Sequence, residues 1–145
     1  MAYADYTYYH GTYMGTVSEE DFQRLAVRAS SFLDYYTRNK AKEYVGLQEL
    51  QMACCALVDK YKVIEAANDL AANNLAASLS ADGNELKSET VGGYSRTFAS
   101  GGDSALSALN TSAGARKLLA ETAAQYLVNT GLLYRGGCPC THPTR

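Results

Sequence analysis

A chain of 145 residues with 47% apolar side chains, 19% charged side chains and two prolines is too apolar for a solvated disordered polypeptide. It is long enough for one self-sufficient core that buries roughly 70% of the surface its unfolded form exposes. A net charge of -2 argues against an affinity built on neutralising phosphates, which concentrates lysine and arginine on one face.

The opening segment carries five of the twelve tyrosines, Tyr3, Tyr6, Tyr8, Tyr9 and Tyr13, interleaved with Gly11 and Gly15. Tyrosine joins a large apolar ring to a polar tip, so this arm suits packing on its own domain and suits a partner surface as well. Met1 to Tyr13 has neither the basic start nor the apolar stretch of a signal peptide, and no window of the chain reaches the ~18 apolar residues of a membrane span. A protein that stays where it is made, with no membrane partner, is expected.

Ser18 followed by Glu19, Glu20 and Asp21 is a helix start, a hydroxyl cap with acids at the positive end of the helix dipole. Phe22, Leu25, Ala26, Ala29, Phe32, Leu33 and Tyr36 then recur on one helical face, which predicts a first long helix from about Glu19 to about Arg38. A short basic link through Lys40 and Lys42, broken at Gly46, leads to Leu47, Leu50, Cys54, Leu57, Val58, Tyr61 and Ile64 on a second face. Ala53 and Ala56 widen that stripe, as the central helix of a bundle requires. From Ala66 to Ala81 the chain is alanine-rich and nearly uncharged, which predicts a fraying continuation of this helix, ended by a turn at Asp82-Gly83-Asn84.

Leu86 to Phe98, with Val91, Tyr94, Thr97 and Phe98 among Gly92, Gly93 and serines, reads as an extended loop or β-hairpin. Ser100-Gly101-Gly102-Asp103 is a flexible joint, and a last helix begins between Asp103 and Ala113. Its firm part carries Leu118, Leu119, Ala123, Tyr126 and Leu127, and Gly131 closes it. The expected architecture is all-α, a small bundle of three to four helices in a single domain over residues 1–136, with a mobile polar tail over residues 137–145.

Little in the chain points to catalysis. A nucleophile needs a base within hydrogen-bond reach, and the two histidines, His10 and His142, both fall outside the expected helices. Gly92-Gly93 lacks the lysine and the helix start of a phosphate-cradling loop. Helix capping accounts for Glu19, Glu20 and Asp21. Cys54 and Cys55 read as small core residues, reduced in a chain without an export signal. Cys138-Pro139-Cys140-Thr141-His142 offers two thiolates and an imidazole to a soft metal, but all three sit in five residues with no fourth ligand. An inert or partner-facing tail is the preferred reading over a metal site or a tail disulfide, so no metal, cofactor or catalytic residue is expected. The arm's aromatic residues are not interleaved with lysine or arginine as a stacking groove would need, although near-neutral walls would suit a channel through which DNA slides.

Several stretches resemble the head-tail connector, or head-completion adaptor, proteins of long-tailed bacteriophages. They are Met1-Ala2-Tyr3-Ala4-Asp5-Tyr6; Glu20 through Asp34 with Phe22, Arg24-Leu25, Ala29-Ser30 and Leu33-Asp34; and Ala53-Cys54-Cys55-Ala56-Leu57. The most distinctive are Lys87-Ser88-Glu89-Thr90-Val91-Gly92-Gly93-Tyr94-Ser95 and Tyr126-Leu127 through Thr130-Gly131-Leu132-Leu133-Tyr134-Arg135-Gly136. The resemblance spans most of the chain. It implies a small helical bundle whose copies, commonly twelve, form a ring under the portal protein at the virion neck, made in the host bacterial cytoplasm. DNA would pass through that ring without specific binding, and a tail or stopper protein would dock below.

In such a family the segment after the second helix projects as a loop and the C-terminal segment reaches a neighbouring ring, roles that fall here on Lys87 to Phe98 and on Leu132 to Arg145. The alanine- and asparagine-rich stretch and the residues from Ser100 to Ser112 depart from the family's pattern. The expected inter-subunit or partner contacts are Tyr3, Tyr6, Tyr8, Tyr9, Lys87, Glu89, Val91, Tyr94, Phe98, Leu132, Leu133, Tyr134 and Arg135. A tail-completion or stopper protein of the same neck is the nearest alternative, and a small helical regulatory or metal-binding module is the alternative from another class.

Overall fold

In the computed structural model the described residues are 2–79, 88–91, 94–97, 109 and 111–133. Asp5 opens the first element by accepting the Tyr8 amide at 2.7 Å, which starts α1 (Tyr6–Tyr8) and its continuation as a wider π-type turn over Tyr9–Tyr13. Met14 ends that turn in a left-handed conformation at φ 59°. Gly15 follows because the Tyr9 ring lies against its backbone, and a Cβ there would fall 1.9 Å from Tyr9 Cζ.

Ser18 caps α2 (Glu19–Tyr36), accepting the Asp21 amide at 3.4 Å, and three acids occupy the first turn. Phe22, Leu25, Ala26, Ala29, Ser30 and Leu33 form its buried face, so the 3.6-residue spacing read from sequence is the one that packs. The helix stops short of Arg38 because the buried Thr37 side chain takes over the chain's hydrogen bonds, donating to the Leu33 carbonyl at 2.8 Å and accepting the Ala41 amide at 3.1 Å. Arg38 and Asn39 are then both left-handed, at φ 56° and 65°, a reversal that strains any residue other than glycine and asparagine.

A 3-10 turn over Lys40–Glu43 leads into α3 (Gln48–Leu79). Its 32 residues make a rod ~48 Å long against ~27 Å for the 18 residues of α2. The alanine-rich stretch expected to fray is helical to Leu79, in keeping with alanine's high helix propensity. Residues Ala53 to Val58 are all buried, and six consecutive buried positions cover every side of a helix, so this part of α3 is enclosed all round.

Thr111 caps the last helix, α4 (Ser112–Leu127), by accepting the Gly114 amide at 3.0 Å. Leu119, Thr122, Ala123 and Leu127 face inward, and Gly131 at φ 74° lets the chain fold back so that Leu132 re-enters the core, 4% exposed. The helix thus starts at the late end of the range expected from sequence. α3 packs against both α2 and α4, and the arm against α2 and α3. Between α3 and α4, β1 (Ser88–Val91) and β2 (Tyr94–Thr97) pair antiparallel with Val91 opposite Tyr94 and Glu89 opposite Arg96. The packed body is all-helical. The expected turn at Asp82-Gly83-Asn84, the joint at Ser100 to Asp103 and the tail over residues 137–145 lie outside the described residues.

Candidate assembly surface

The tyrosine arm is tied down ring by ring. Tyr3 donates its amide to Ser30 Oγ at 3.0 Å and its hydroxyl to Asp34. Tyr9, with no exposed surface, donates its hydroxyl to Asp59 Oδ1 at 2.5 Å and accepts the Val17 amide at 3.2 Å. Tyr13 donates to the other oxygen of Asp59 at 2.9 Å. The rings also pack on one another: Tyr9 lies 4.7 Å from Phe22 and is stacked at 5.6 Å on Tyr13, while Tyr6 sits 5.7 Å from Phe22. Burial, reinforced by the adjacent carboxylate of Asp59, pushes the Tyr9 hydroxyl up to about 12. Tyr3 and Tyr13 rise for the same two reasons, with Asp34 acting on Tyr3. A phenol with a raised pKa is a firm donor at neutral pH, and each bond stitches the arm to a helix distant in sequence.

Several expected contact residues are therefore enclosed within their own chain. Tyr3, Tyr9 and Leu132 are buried, and Tyr6, Tyr8 and Leu133 pack half-buried against the core. The Tyr8 hydroxyl is buried with no hydrogen-bond partner among the described residues. Glu89, Val91 and Tyr94 lie on the paired strands, whereas Lys87, Phe98, Tyr134 and Arg135 lie outside the described residues, as do Cys138, Cys140 and His142. Cys54 and Cys55 are both buried; burial raises both thiols, Cys55 to about 12, so neither is a thiolate at neutral pH. Among the described residues no three His, Cys, Asp or Glu side chains are grouped as a metal site, and no helix is long and apolar enough to cross a membrane.

Ion pairs clamp the start of α2 to α3. Arg24 grips both oxygens of Glu65 at 2.5 and 2.8 Å, Arg28 adds a bond to Glu65 at 2.6 Å, and Lys62 reaches Asp21 at 2.7 Å. The Lys62 ammonium and the Arg24 guanidinium hold Asp21 down to about 2, and Arg24 likewise lowers Glu65. These pairs are solvent-exposed and set register more than stability. They fix the level of α3 at which α2 begins, so the part of α3 beyond Ala67 extends past the start of α2. There Asn68, Asp69, Leu70, Ala72 and Asn73 are exposed.

The large apolar side chains that do reach solvent were not singled out in the sequence. Val63 and Leu70 lie two helical turns apart on α3 at 49% and 44% exposure, Val27 and Tyr35 stand on α2, and Tyr44, Val45 and Val128 follow helix ends. The seven-residue spacing of Val63 and Leu70 was a readable signal. Comparison with protein-family models, with curated proteins and with solved structures found no match.

Proposed function

We propose that this protein is a structural subunit of a bacteriophage head-tail connector ring that docks on the portal after DNA packaging, links capsid to tail at the virion neck and lines part of the DNA channel. The observation that carries the reading is a core already closed by the tyrosine arm, on which α3 leaves Val63 and Leu70 exposed and past which it continues with Asp69 as its only charged residue from Ala66 to Leu79. A helix in this state gains most of its stability when another surface covers it. A ring supplies that cover without symmetry-related clashes, because a cyclic contact joins two different faces of each copy. A stable contact of this kind buries ~1,200–2,000 Å², more than the arm can contribute with Tyr3 and Tyr9 turned inward. The strands β1 and β2 and the residues after Leu133 supply further contacts in this reading, the former as part of a projecting loop or hairpin, consistent with the resemblance of both segments to connector proteins.

Light scattering on the purified full-length protein, alone and mixed with portal protein, tests the proposal. A ring is expected in the mixture, and Val63→Asp with Leu70→Asp is expected to abolish it while the helical circular dichroism stays intact. Tyr94→Asp with Phe98→Asp asks the same of the strand segment. A stable dimer indifferent to portal would overturn the reading.

A further inference from the structure

We propose that the corner where α2 turns towards α3 binds single-stranded nucleic acid without sequence preference, with bases on Tyr35 and phosphates on Arg38 and Arg116. Tyr35 is 71% exposed, and two concavities of about 530 Å³ each meet at its ring. One is lined by Asp34, Tyr36, Arg38 and Asn39. The other, between α2, α3 and α4, is lined by Arg28, Phe32, Tyr61 and Arg116, with no acidic side chain on its wall. The lining side chains pack on one another: Phe32 and Tyr36 stack at 5.7 Å and 12°, and the Arg28 guanidinium sits 5.0 Å over the Tyr61 ring.

The cations around Tyr35 differ from those elsewhere on α2. Arg24 and Arg28 are neutralised by Glu65, but the guanidiniums of Arg38 and Arg116 have no acidic partner among the described residues. Asp34, which shares a concavity with Arg38, is engaged by the Tyr3 hydroxyl and by Lys42 at 3.9 Å. An arginine in each of two concavities that share an exposed flat ring suits the order phosphate, base, phosphate along an unpaired strand, in which aromatic stacking tolerates any base. A duplex keeps its bases stacked inside and would use only the cations, and an acidic protein segment has no need of the ring's open face. The inference stands on this corner alone and does not depend on the ring proposed above.

Fluorescence anisotropy of a labelled oligothymidylate of about 16 nucleotides, at about 50 mM salt and upward, tests it on the full-length protein. The strand is expected to bind, more tightly than a duplex of equal length. Arg38→Gln with Arg116→Gln is expected to flatten the log-log salt dependence by about 1.4. Tyr35→Ala is expected to weaken binding roughly tenfold with the salt dependence unchanged. Circular dichroism checks that each variant stays folded. Absence of binding at the lowest salt, equal binding of duplex, or indifference to all three substitutions would overturn the proposal. So would variants that change only the oligomeric state measured by light scattering, which would assign the corner to a contact with a second copy of this chain.

Discussion

Tyr9 and Tyr35 are the same residue with opposite fates. Tyr9 lies on a short arm with little helical pattern and is fully buried; Tyr35 lies on a strongly patterned helix and is 71% exposed. The difference is the facing group. Asp59 projects from α3 to receive both the Tyr9 and Tyr13 hydroxyls, so burying those rings leaves no polar tip unsatisfied, whereas Tyr35 sits opposite the packed face of α2 with cations beside it. A tyrosine-rich segment therefore reads as sticky only until its hydroxyls find carboxylates within the same chain.

The sharpest way to break this contrast is Tyr9→Ala. Removing a fully buried ring and one of Asp59's two donors is expected to lower stability by about 3–5 kcal/mol and to leave residues 2–17 open to protease. A loss below ~1 kcal/mol by chemical denaturation would mean that the arm is not part of the core.

Alkaline pH comes next. The folded state raises Tyr9 from its ordinary 10.0 to about 12 and Cys55 from 9.0 to about 12, and it raises Tyr3 and Tyr13 as well. A raised pKa means that folding favours the neutral group, so its contribution is complete below the unfolded value and is lost as pH climbs through the folded one. The melting temperature should hold up to about pH 9 and fall steadily towards pH 12. A flat profile over that window would show that these hydroxyls do not hold the arm. The smallest effect belongs to Tyr35→Ala, which should change stability by no more than about 0.5 kcal/mol in the same denaturation assay. A larger loss would place that ring among the structural ones.

Much of the helical framework was legible because it is written in local spacing. Ser18 and the three acids after it located the start of α2, and the recurrence of Leu47, Leu50, Cys54, Leu57 and Val58 located the enclosed part of α3. The end of α2 was not legible, because it depends on Thr37 bonding to Ala41 and on two left-handed residues that no pattern announces. The candidate surface was less readable still. The interleaving of aromatic residues with cations was sought in the arm, whereas it occurs from Tyr35 to Tyr44 around Arg38, Lys40 and Lys42.

Amino-acid order alone determined where the three long helices lie and which face of α2 is greasy, since both follow from the 3.6-residue turn and the chemistry of caps. Only the tertiary structure decided that Tyr3, Tyr9 and Leu132 turn inward while Val63, Leu70 and Tyr35 remain outside. Those choices rest on partners 27 or more residues away, Ser30 and Asp34 for Tyr3 and Asp59 for Tyr9, and a local pattern holds no record of which distant carboxylate a hydroxyl will meet.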